Sequence, residues 1–136
     1  NRDADGKKLY HSNRQAVTFP LADALCPLIA SRLFILDVLE LAAKGPENPM
    51  VAEGLEGYMA FFNDIARMQA ARAAGEASRV CSGLVHGYAT PDADLTAFGP
   101  LRQALDTSLA GLGLARERAG AALTQVMIPE ALDYPM

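Results

Sequence analysis

Few side chains in this sequence are of the types that do chemistry, and their spacing alone brings none of them together. Two histidines and two cysteines are spread over 136 residues. His11 has no acid or cysteine neighbour at metal-ligand spacing, so a solvated imidazole is expected. His86 precedes Gly87-Tyr88 at the end of a helical pattern, where the carbonyl end of a helix dipole favours a cation. Glu53, Asp64 and Glu76 are isolated acids on one helical stretch and read as surface or capping residues. A di-iron bundle would need Glu-x-x-His pairs, and neither histidine has a glutamate three residues before it. No GxGxxG, P-loop, GxSxG, HExxH or EF-hand pattern occurs. The motifs therefore assign no catalytic residue and predict no metal site.

The elements that would position any site are helical. Gln15 to Lys44 is the most apolar stretch, with Leu33, Phe34, Ile35 and Leu36 in succession. Four consecutive apolar residues cover every face of a helix, which predicts a central helix touched on most sides. Asp23, Arg32, Asp37 and Glu40 interrupt it too often for a membrane span. Thr18 is the expected cap, with Pro20 in the first turn. Pro27 predicts a kink, or a helix that starts there, because proline removes a hydrogen bond and clashes with the preceding turn. Gly45-Pro46-Glu47-Asn48-Pro49 predicts a tight connection.

A second helix is expected over 52–88, from Leu55, Met59, Phe62, Ile65 and Ala66 at three- and four-residue steps. Gly75 and its alanine neighbours suggest close approach of another helix, with a bend at Gly75 or an end near Gly83 to Gly87. Arg72 and Glu76 are spaced to pair. Met59, Phe61, Phe62 and Met68 are spaced as core, with a ligand-lining role as the alternative. Thr90-Pro91 marks a connector. A third helix is expected over 100–128, where Leu105, Ser108, Leu112, Ala115, Ala119, Ala122 and Val126 keep a heptad-like rhythm until Pro129. Residues 1–13 read as an arm or loop, and Tyr134 as a residue that docks on the body. No run of period two supports a sheet. The fold class expected is all-α, a single domain built as an up-down bundle of three to four long helices.

A net charge of −4 argues against a nucleic-acid binder, which needs a basic field. Cys26 and Cys81 lie in apolar patterns without CxxC spacing, so two buried thiols in a reducing, cytoplasmic setting are expected. No signal peptide or membrane segment is visible. The start at Asn1 fits a fragment, a processed product or the ordered part of something longer.

Gln15-Ala16-Val17-Thr18-Phe19-Pro20-Leu21-Ala22-Asp23 resembles the QxVxFxLAD segment that opens the C-terminal helical domain of acyl-CoA dehydrogenases. In that family an Arg-x-x-Phe-Gly motif precedes it. Arg2-Asp3-Ala4-Asp5-Gly6 keeps the arginine and glycine, with Asp5 in place of phenylalanine and a gap to the glutamine two residues longer. Ala30-Ser31-Arg32 resembles the small-x-Arg that follows in the family's helix. Gly87-Tyr88 is similar to the end of its GGxGY turn. The resemblance covers about Arg2 to Tyr88. It implies an FAD-linked oxidoreductase domain at a homo-oligomer interface, with Arg2, Gln15 and Gly87 reaching the FAD of a neighbouring subunit. An arginine fork suits pyrophosphate oxygens, and a glycine turn offers backbone N–H groups to an anion. Acyl-CoA is the implied substrate. The Tyr-Glu-Gly-Thr turn that carries the base in many members has no counterpart after Tyr88, which implies a domain without catalytic activity of its own. A non-catalytic helical scaffold or adaptor in a larger assembly is the alternative.

Overall fold

Helices account for most of the described chain, and the protein is an all-α helical bundle. The computed structural model describes residues 2, 5–8 and 14–131, with side chains to residue 124. The expectations for His11 and Tyr134, and most of the arm at 1–13, lie outside the described residues. The elements are α1 (Gln15–Lys44), a 3-10 turn (Gly45–Glu47), a one-turn α2 (Pro49–Ala52), α3 (Leu55–Tyr88), α4 (Phe98–Ser108) and α5 (Leu112–Ala131).

α1 starts three residues before Thr18. The Arg14 carbonyl accepts from the N–H groups of Val17 and Thr18, and the Thr18 hydroxyl donates to the same oxygen at 3.0 Å. Thr18 therefore braces the first turn from inside the helix instead of capping it. α1 is also continuous through Pro20 and Pro27. A proline removes one N–H, and the flanking turns of a 30-residue helix keep theirs. The predicted connection after Lys44 is present: Gly45–Glu47 tightens into a 3-10 turn, and Asn48 Oδ1 caps α2 by accepting from Met50 N–H at 3.0 Å. A Cβ at Gly45 would lie 2.6 Å from a Leu55 methyl, so a larger residue there would force the Leu55 side chain to shift.

The second predicted helix divides at Glu53-Gly54, and α3 then runs unbroken through Gly75 and Gly83. A Cβ at Gly75 would meet nothing within 4 Å, so the glycine does not serve close packing as expected. Arg72 is not the partner of Glu76. Arg79 is, through two hydrogen bonds of 3.0 and 2.6 Å on the exposed surface. The third predicted helix also divides. Gly111 takes a left-handed conformation, φ +74°, and ends the run between α4 and α5. Just before it, the hydroxyls of Thr107 and Ser108 donate back to the carbonyls of Gln103 and Leu105, a local alternative to continued helix. α5 then passes Pro129 and ends at Ala131.

The polypeptide divides into two units, Asn1–Arg32 with Ala70–Leu109, and Leu33–Gln69 with Ala110–Met136. In the first unit the buried residues are small: Val17 and Ala24 of α1, and Ala71, Ala73 and Val80 of α3. In the second the buried apolar side chains are Val38, Ala66, Ala115 and Ala119, with Phe62 edge-on to Phe34 at 6.3 Å and to Phe61 at 5.3 Å. Phe61 and Phe62 are half-buried, short of the buried core that their spacing suggested.

The burial along α1 differs from the expectation of a helix touched on most sides. Its buried positions are Val17, Ala24, Ser31 and Val38, each seven residues apart. Around this narrow seam Phe19, Leu25, Leu28, Ile29, Leu33, Ile35, Leu36 and Leu39 are exposed. Among the described residues no large side chain is fully buried. Each alanine removes little apolar area from water, so this core contributes less per residue than a leucine-filled one.

Candidate functional site

The three residues singled out by resemblance all belong to the first unit. Arg2 is exposed, and its guanidinium donates to the Gly6 carbonyl at 2.5 Å across a small turn closed by an antiparallel bridge between Arg2 and Lys8. Gly6 turns that corner with φ +75°. Gln15 is the exposed first residue of α1. Gly87 is the penultimate residue of α3 and lies within the helix, not in a turn after it. Among the described residues no hydrogen bond or ion pair joins Arg2, Gln15 and Gly87. His86, beside Gly87, stands edge-on to Phe98 of α4, with ring centroids 5.9 Å apart. That contact is an aromatic anchor for α4, beyond the helix-end role expected from position.

A more developed surface in the same unit lies along α3 and α4. Leu28 of α1, Ala77 and Cys81 of α3, and Phe98, Leu101 and Leu105 of α4 line an open apolar hollow of about 460 Å³. Ser78 and Arg102 also line it, and both continue into a smaller, more polar hollow of about 170 Å³ with Ser82, Arg79 and Asp106. Arg102 reaches Ser82 Oγ across a long 3.5 Å. Arg79 is engaged by Glu76, whose carboxyl the arginine holds below the ordinary glutamate range by hydrogen bonding. Sequence reasoning missed Arg102, Ser78 and Ser82. The available signal was a pair of serines four apart on an otherwise alanine- and valine-rich face.

In the second unit Asp64 is buried, 9% exposed, and accepts two hydrogen bonds from Arg118 of α5, at 2.9 and 2.5 Å. That contact, chiefly its hydrogen bonding, draws the Asp64 carboxyl below its ordinary value against the opposing effect of burial. One helix turn away, the Arg67 guanidinium donates to the Ala110 carbonyl at the entry to α5. Asp64 is therefore a structural acid that fastens α5 to α3, and a carboxyl held charged is poorly suited to general acid work near neutrality. Both cysteines are free. Neither is buried as expected: Cys81 is half-buried, and Cys26 is exposed on α1. Among the described residues no three His, Cys, Asp or Glu side chains group to hold a metal. No described helix is long and apolar enough to cross a membrane.

Comparison of the chain with protein-family models, with curated proteins and with solved structures returns no match.

Proposed function

We propose that the chain is the C-terminal helical domain, or a part of it, of an acyl-CoA-dehydrogenase-like flavoprotein, and that its main task there is to pack between subunits. The observation that supports this reading is the exposed apolar surface of α1, from Phe19 to Leu39. Exposed apolar area on this scale marks an interaction surface. A stable pair of subunits takes about 800 Å² from each partner, and a helix of 30 residues is long enough to carry such a surface. Copies of the same protein are the occupants on this reading, because the resembling domain lies at a homo-oligomer interface. The net charge of −4 speaks against a nucleic-acid partner. A cytoplasmic location goes with the same reading.

Arg2, Gln15 and Gly87 do not make an FAD site by themselves. Arg2 and Gln15 stand on open surface, and the Gly87 N–H lies inside helix α3 instead of pointing from a turn. FAD, where bound, supplies the hydride-accepting ring. The role left for this chain is peripheral: Arg2 and Gln15 would touch a flavin held chiefly elsewhere, and the acyl-CoA substrate would also be held elsewhere. The helical placement of Gly87 favours the second reading at this one point, that of a scaffold or adaptor without flavin.

The deciding measurement is the visible absorption spectrum of the protein purified from its native source, taken with its intact mass. Flavin bands and a mass well above 14.4 kDa support the flavoprotein reading. In that full-length protein Arg2→Ala and Gln15→Ala are expected to weaken flavin retention and leave the helices folded. A colourless protein of 14.4 kDa would leave only the scaffold reading.

A further inference from the structure

We propose that the hollow along α3 and α4 binds a small amphiphile, an alkyl chain ending in a single carboxylate. The inference uses none of the residues assigned to flavin, and shares only Leu28 with the α1 surface that supports the flavoprotein reading. The volume of about 460 Å³ falls in the range of small-molecule pockets, which are mostly apolar with a few polar groups fixing orientation. The alkyl chain lies against Leu28, Ala77, Phe98, Leu101 and Leu105. At one boundary the wall becomes more polar, where Arg102 and Ser78, with Leu105, line both the apolar hollow and the smaller one beside it.

Charge selects the head group. Of the two arginines at the polar end, Arg79 is already forked onto Glu76. Arg102 has only the 3.5 Å contact to Ser82 Oγ among the described residues, which leaves its guanidinium free to fork onto a carboxylate. Asp106 lines the polar hollow but not the apolar one. Its charge repels a large or doubly charged head that reaches past Arg102, and so favours one compact carboxylate at the boundary.

Calorimetry of the intact chain with octanoate and decanoate, and with decanol as the uncharged control, tests this. Decanoate is expected to bind one per chain and about tenfold tighter than octanoate, as burial of two further methylenes requires. Arg102→Gln is expected to weaken decanoate about tenfold and leave decanol unchanged. Alkylation of Cys81 by N-ethylmaleimide, followed in a Cys26→Ser background, is expected to slow when decanoate saturates the wild-type residue set. Equal affinity for decanol and decanoate, or no effect of Arg102→Gln, overturns the carboxylate assignment. Protection of Cys81 that rises with protein concentration without decanoate overturns the small-molecule occupant in favour of a second copy.

Discussion

Replacing Gly83 by alanine should stabilise the protein. The residue lies inside α3, and a Cβ built on it would meet nothing within 4 Å. Glycine in a helix interior costs roughly 0.5–1 kcal/mol relative to alanine, because the unfolded chain gains more conformational freedom from it. With no neighbour to displace, the whole of that difference should be recovered. For a chain of 136 residues the unfolding entropy near the midpoint is about 0.29 kcal/mol/K, so the gain corresponds to a rise in Tm of roughly 2–3.5 °C. Gly75→Ala meets the same conditions eight residues earlier, about 12 Å along the helix, and the two changes should add. Thermal and urea unfolding followed by circular dichroism at 222 nm measure both. A fall in Tm for Gly83→Ala would refute the reasoning, since it would mean that another surface lies against α3 at this point and has no room for a methyl group.

The opposite sign is expected at Gly111. Its φ of +74° is the left-handed region, and a Cβ there would also come within 3.3 Å of the Arg67 guanidinium. Gly111→Ala should cost about 1–2 kcal/mol, and Gly111→Asn less, by the same unfolding assay. Asp64 should give an acid limb to stability. Its folded carboxyl is held below the ordinary value by Arg118, so its contribution is present above the unfolded value near pH 4 and is lost as pH falls through the folded one. Urea midpoints of wild type and Asp64→Asn should therefore differ at pH 7 and draw together in acid, and a constant difference would remove Asp64 as the cause. Phe34→Asp places a charge beside Phe62 in the second unit and should cost about 2–3 kcal/mol. Unchanged helicity and unfolding midpoint in that variant would refute a structural role for the ring.

The fold class was legible because two apolar periodicities near 3.6 and one long apolar run are hard to satisfy any other way. Leu112, Ala115, Ala119 and Ala122 kept their predicted seam, with Ala115 fully buried. Boundaries failed where a local hydrogen bond decides them. Thr18 matched a capping residue by type, yet Arg14 supplies the carbonyl that starts α1, and no propensity encodes that choice. The break at Gly111 was hidden by a heptad rhythm that runs through it, since periodicity reports which side a residue faces and says nothing of a left-handed glycine between two segments.

The candidate sites were less legible than the fold, for a related reason. Arg102 and Ser82 are twenty residues apart and become neighbours only because α4 returns beside α3. Asp64 and Arg118 are 54 residues apart, and Asp64 alone reads as one more surface acid. The apolar run Leu33 to Leu36 carries the opposite lesson. It was read as part of a central helix touched on most sides, and Leu33, Ile35 and Leu36 are exposed. The excess of apolar surface on α1 over what its narrow seam buries is the observation on which the proposed packing between subunits rests.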